Sequence, residues 1–163
     1  MIINTKSLVV VLFLMLLLVT GCVQFPKASD EFTRQARQFS PSPGRAAVYV
    51  IRPNQFVAAG SFIGLWIDHK KIGRLPPRSF LHTEVLPREH VIELTEVVNV
   101  KNTSHRFVAE EGKCYFFNAE IVISGNMSVS ALSDQEGRQL VSDYDQSGYN
   151  TFDAEKGFPT KPH

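Results

Sequence analysis

The stretch Lys113-Cys114-Tyr115-Phe116-Phe117-Asn118-Ala119-Glu120-Ile121-Val122-Ile123 decides the fold class. Tyr115, Phe117, Ala119, Ile121 and Ile123 fall on alternate positions, with Asn118 and Glu120 between them. A repeat of two places one set of side chains on one face of a strand and the other set on the opposite face. The turn signal Ser124-Gly125-Asn126 follows, and Met127 to Leu132 alternates again. Upstream, the same reading predicts strands over Ala46–Arg52, Phe62–Asp68, Lys71–Leu75, Phe80–Val85, His90–Val97 and His105–Glu110. Short strands separated by frequent turn signals, with no long helical pattern between them, predict an all-β chain. The expected architecture is a single β-sandwich of about seven to eight short strands over residues 46–135.

The flanks read differently. Residues 22–45 are expected to be a tether. Within it Ser29-Asp30 can cap a short helix through Glu31–Phe39, with Phe32, Ala36 and Phe39 on one face. That face would either pack on the domain edge or bind a partner. Ser40-Pro41-Ser42-Pro43-Gly44 then breaks the helix. Beyond the sandwich, residues 136–163 are expected to hold a short helix, read over Asp134–Tyr144, and a loose polar tail from residue 145.

Residues 1–21 form a separate unit. Leu8 to Val19 is an unbroken apolar run of 12 residues. A membrane-spanning helix needs about 20 apolar residues, whereas a signal-peptide core needs about 7–15. The run therefore predicts a cleaved signal peptide. It ends in Leu18-Val19-Thr20-Gly21-Cys22, which resembles the lipobox of bacterial lipoproteins. Val19, Thr20 and Gly21 would be the peptidase recognition residues, with Val19 aliphatic and with Thr20 and Gly21 small where an extended backbone must pass beside a modified thiol. The resemblance implies a diacylglycerol thioether on Cys22 and a palmitate-type chain on its new amine. Two or three acyl chains suffice for stable anchoring. Val23, which is not Asp, implies by analogy delivery to the outer membrane, on its periplasmic face or at the cell surface.

Charge and cysteine content narrow the partners. The chain holds 17 basic and 16 acidic residues; residues 1–21 contain one Lys and no acid, so the remainder carries 16 of each. That balance argues against nucleic acid, which needs an electropositive surface. With Cys22 acylated, Cys114 has no partner within the chain and reads as a small buried hydrophobe.

Four motifs together resemble the domain of unknown function 2846 family of secreted bacterial proteins. They are Ala46-Ala47-Val48-Tyr49-Val50-Ile51-Arg52-Pro53, Trp66–Leu75, Val85–Ile92 and Glu111–Phe116. The chain is also similar to PEGA-type modules. The resemblance implies an extracytoplasmic β domain and no mechanism. His69, Arg88-Glu89 and Arg78 stand where the family has glycine-containing turns. Either a left-handed, mildly strained backbone or a different turn type is expected at His69. His90 matches a turn histidine and is expected to tie the hairpin down.

No catalytic or metal-ligating constellation stands out. None of the five His lies in a zinc-type spacing, and no cofactor is implied. His82 and Glu84 would share a strand face; His90 and Glu93 would not. Arg52 and Arg74, at strand ends, read either as carbonyl caps or surface ion pairs, or as anion contacts. Trp66, with Tyr49, Phe62 and Phe80, reads either as core or as a ligand platform. The leading expectation is a non-enzymatic, lipid-anchored envelope lipoprotein that meets the membrane through Cys22 and acts on envelope proteins. The second is a peptidoglycan-, glycan- or peptide-binding module, and the third a cell-envelope hydrolase.

Overall fold

The computed structural model describes residues 25–55, 59–95, 103–122 and 126–149. Cys22 and the signal-peptide residues Val19, Thr20 and Gly21 lie outside them. So do the ends of the strands expected to reach Val97 and Ile123.

Strand β1 (Ala46–Arg52) is buried along its whole length. Its sequence explains this: Ala46, Val48 and Val50 face one hydrophobic cluster, and Ala47, Tyr49 and Ile51 face another. A strand with apolar residues on both faces belongs in the middle of a layered structure. β1 pairs antiparallel with β4 (Ser79–Val85) and parallel with β7 (Cys114–Ile121). β8 (Met127–Ala131) extends this sheet beyond β7. On the other side of β4 lies β9 (Asp145–Gln146), giving the order β8-β7-β1-β4-β9.

The second sheet has the order β3-β2-β5-β6. It is formed by β2 (Ile63–Ile67), β3 (Lys70–Leu75), β5 (Glu89–Thr95) and β6 (Thr103–Val108). Ile63, Leu65, Ile67, Ile92 and Leu94 meet Val48, Val50, Leu81 and Phe117 between the sheets. The fold is therefore the expected all-β sandwich, with β9 added.

Helix α1 (Asp30–Ala36) begins at the N-cap Ser29, whose hydroxyl accepts from the Phe32 N–H. It stops before the predicted Phe39, which adopts φ 51°. Phe39 still packs, with its ring 5.5 Å from Tyr49 and 6.0 Å from Phe116. Helix α2 (Asp134–Asp143) is capped in the same way by Ser133. Both helices cover the outer face of the five-stranded sheet, where Ala36 and Val141 join Tyr49, Ile51, Phe80 and Phe116. Gly137 permits this contact, because a Cβ there would lie 2.1 Å from the Phe116 ring.

Two expectations change at the flanks. Residues 145–149 are not a loose tail: β9 pairs with Ser79 and Phe80, and the Ser147 N–H donates to the Phe80 carbonyl at 2.8 Å. Residues 150–163 lie outside the described range. The tether is also docked from Phe25 onward. Lys27 stands in a β-bridge with Ser147, made by the Ala28 N–H donating to the Gln146 carbonyl and the Gly148 N–H donating to the Pro26 carbonyl, both at 2.9 Å.

Candidate functional site

Three places on this frame gather chemically active side chains. The first is the turn joining β2 to β3. Ile67 pairs with Lys70, leaving Asp68 and His69 as the two turn residues. Their φ values are 50° and 62°, the left-handed pair that a two-residue hairpin requires. The left-handed alternative for His69 is therefore the one realised.

Asp68 uses this geometry. Its Oδ1 accepts from the Val91 N–H at 3.0 Å, and its Oδ2 lies 2.7 Å from His90 Nδ1 and 2.6 Å from Arg88 Nη2. His90 is buried, and its Nε2 lies 2.7 Å from the Leu86 carbonyl. Burial raises the Asp68 carboxyl, but the Val91 N–H, the His90 ring and the Arg88 guanidinium outweigh it and hold it below its usual value. The pair joins two turns, as expected of His90. No cluster of three or more His, Cys, Asp or Glu side chains able to hold a metal occurs among the described residues.

The second place is a cleft of about 510 Å³ between α1, the 40–45 segment and the outer face of β4. Gln35, Gln38, Ser42, Arg45, His82 and Glu84 line it, with Phe32 at its side. His82 and Glu84 do share a face. Glu84 accepts from the Ser42 N–H at 2.9 Å, which fixes the approach of the 40–45 segment. His82 stacks on Tyr49 at 4.7 Å, and burial pushes its pKa down despite Glu84. The Tyr49 hydroxyl donates to the Ala36 carbonyl at 2.6 Å, and burial raises its pKa. Gln146, also in the wall, is buried, and its Oε1 has no hydrogen-bond partner among the described residues. Such a cleft offers amides, hydroxyls, one cation and one carboxylate. That set suits hydrogen bonding to a polar, largely uncharged molecule.

The third place is the docked N-terminal segment. Phe25 meets Phe62 edge-on at 5.2 Å, and Phe62 meets Tyr149 at 5.0 Å. A groove of about 410 Å³ lies beside them, between Pro26-Lys27 and Pro76-Pro77-Arg78.

The residues singled out in the sequence do not converge. Arg52 is fully buried, and its Nη1 donates to the carbonyls of Ser61 (2.7 Å) and Leu75 (3.0 Å). Burial pushes its pKa down to about 10. It caps carbonyls inside the molecule, so the surface ion-pair reading does not hold there. Arg74 has an exposed side chain, and its backbone N–H donates to the Tyr149 carbonyl at 3.1 Å. Trp66 is half-buried on the outer face of the four-stranded sheet, paired with Glu93 and Lys71, and its Nε1 donates to Thr95 Oγ1 at 3.1 Å. Tyr49 and Phe80 are buried under the helices, on the other sheet. The four aromatic residues thus form no common platform. Cys114 is half-buried, its Sγ donates to the Phe39 carbonyl at 3.3 Å, and burial raises its pKa.

The cleft was not legible because its wall comes from segments far apart in the chain. The docking of Phe25 left one signal: an aromatic residue in the tether ahead of the amphipathic helix. No described helix is long and apolar enough to cross a membrane. In comparisons with known proteins, no family model and no curated protein matches this chain.

Proposed function

We propose that this protein is a lipid-anchored envelope lipoprotein whose β-sandwich is a non-enzymatic interaction or accessory module, held at the periplasmic face of the outer membrane by Cys22. The observation that carries the reading is the position of Phe25. Three positions after the lipobox-like Val19-Thr20-Gly21-Cys22, at Phe25, the chain is already fastened to the sandwich. Acylation of Cys22 would therefore tie the whole domain to the membrane by a short leash. The Asp68–His90 contact, spent on joining two turns, agrees with a module that presents a stable surface.

A second reading, a glycan-, peptidoglycan- or peptide-binding module, is favoured by the polar cleft beside His82 and Glu84. In-cell crosslinking followed by affinity capture of the mature lipoprotein separates the two. The leading reading predicts discrete protein adducts that depend on Cys22. Recovery of peptidoglycan fragments without protein would contradict it and favour the second.

A further inference from the structure

The geometry points to one end of the sandwich as a membrane-contact surface that meets phospholipid headgroups; this rests on the acylation of Cys22 proposed above. The strands run between two ends. One carries Phe62, Pro76 to Ser79 and residues 145–149, because Arg52 pairs with Ser79 and Ser79 with Asp145. The other carries the Asp68-His69 turn, Leu86 to Arg88 and the Glu110 to Lys113 turn, because Ala46 pairs with Val85 and Ala47 with Cys114.

The chain enters at the first end and cannot swing freely there. Phe25 is packed on Phe62, and Pro26, Lys27 and Ala28 are each joined to residues 146–148 by backbone contacts. Three residue steps separate Cys22 from Phe25, a reach of at most about 11 Å at full extension. The length of β1 sets the far end roughly 20 Å further away. A bilayer holding the acyl chains on Cys22 is therefore close to the first end and remote from the second.

The first end has the chemistry for that neighbour. Arg78 is exposed there at φ 56°, and its guanidinium lies 6.0 Å from the Tyr144 ring centroid. Lys27 is exposed beside it and shares a surface ion pair with Asp145 at 2.7 Å. Between them runs the groove walled by Pro26, Pro76 and Pro77. Cations suit phosphate headgroups, and the half-buried Tyr149 ring at this end is of the kind that sits at headgroup level.

The test uses the full, acylated chain in vesicles of phosphatidylethanolamine and phosphatidylglycerol that contain a nickel-chelating lipid. In a Cys114→Ser background, a nitroxide is attached at Arg78→Cys or at Glu110→Cys. A second pair, Asp145→Cys and Glu89→Cys, repeats the comparison should one substitution disturb folding. The expected result is nickel-induced relaxation several-fold greater at 78 than at 110, and at 145 than at 89. Equal relaxation at the two ends of an acylated protein, or greater relaxation at 110 and 89, would overturn this proposal and leave the anchoring intact. A mass lacking the acyl-glyceryl addition would overturn the anchoring reading and this proposal with it.

Discussion

Asp68 and His90 stand 2.7 Å apart, and their contact fastens the β2–β3 turn to the start of β5. The same histidine reaches the Leu86 carbonyl through its other nitrogen, so one buried ring joins two turns. Removing the carboxylate takes the partner from Nδ1 of a buried ring, at a position that borders solvent because the Asp68 side chain is 28% exposed. Asp68→Ala is expected to cost about 1–2 kcal/mol, the lower part of the range for a polar group left unsatisfied, because water can reach the vacated position. Urea denaturation measures it, and a loss near zero would show that the pair carries no stability.

The same carboxyl sets an acid limit. Its folded pKa lies below the unfolded value, so its contribution is complete above the unfolded value, near pH 4. The contribution is lost as pH falls through the folded value. Thermal melts of the parent should show this decline below about pH 4, and Asp68→Asn should show less of it. An unchanged acid profile in the variant would assign the decline to other groups.

His82 acts higher on the pH scale. Its folded pKa is lowered by burial, so the unfolded chain takes up the proton first. Stability from this group is full above the unfolded pKa of about 6.5 and is lost as pH falls through the folded value. His82→Gln should flatten the stability profile between about pH 7 and 5. Equally steep profiles for parent and variant would contradict the assignment.

Gly137 gives a prediction whose sign is decisive. Helix propensity alone says that Gly→Ala stabilises by about 1 kcal/mol. The Phe116 ring says otherwise, since the new Cβ would stand 2.1 Å from its Cγ. Overpacking of this kind costs about 1–3 kcal/mol, or more when backbone must move. Gly137→Ala should therefore lower the melting temperature; a rise would mean that α2 is free to shift.

The sandwich was legible because alternation is a local signal. Tyr115, Phe117, Ala119 and Ile121 announce their strand without any knowledge of its neighbours, and β7 forms over Cys114–Ile121. The parallel pairing of β1 with β7 was not legible, since alternation does not name the partner strand. β9 escaped because Asp145-Gln146 is two polar residues, too short for any period. Arg52 misled in part: a strand-end arginine reads as surface, and only the folded chain brings the Ser61 and Leu75 carbonyls around it. The cleft near His82 and the docking of Phe25 were hidden for the same reason: each is assembled from segments far apart in the chain, α1 and residues 40–45 with β4 in the first case and Phe25 with Phe62 in the second.

Everything proposed for this domain at the membrane rests on a lipid carried by Cys22. Growth with radiolabelled palmitate tests it most directly, comparing the parent chain with Cys22→Ser. The expected result is a labelled, processed parent and a Cys22→Ser chain that is unlabelled and keeps residues 1–21. Normal labelling of the Cys22→Ser chain would contradict it.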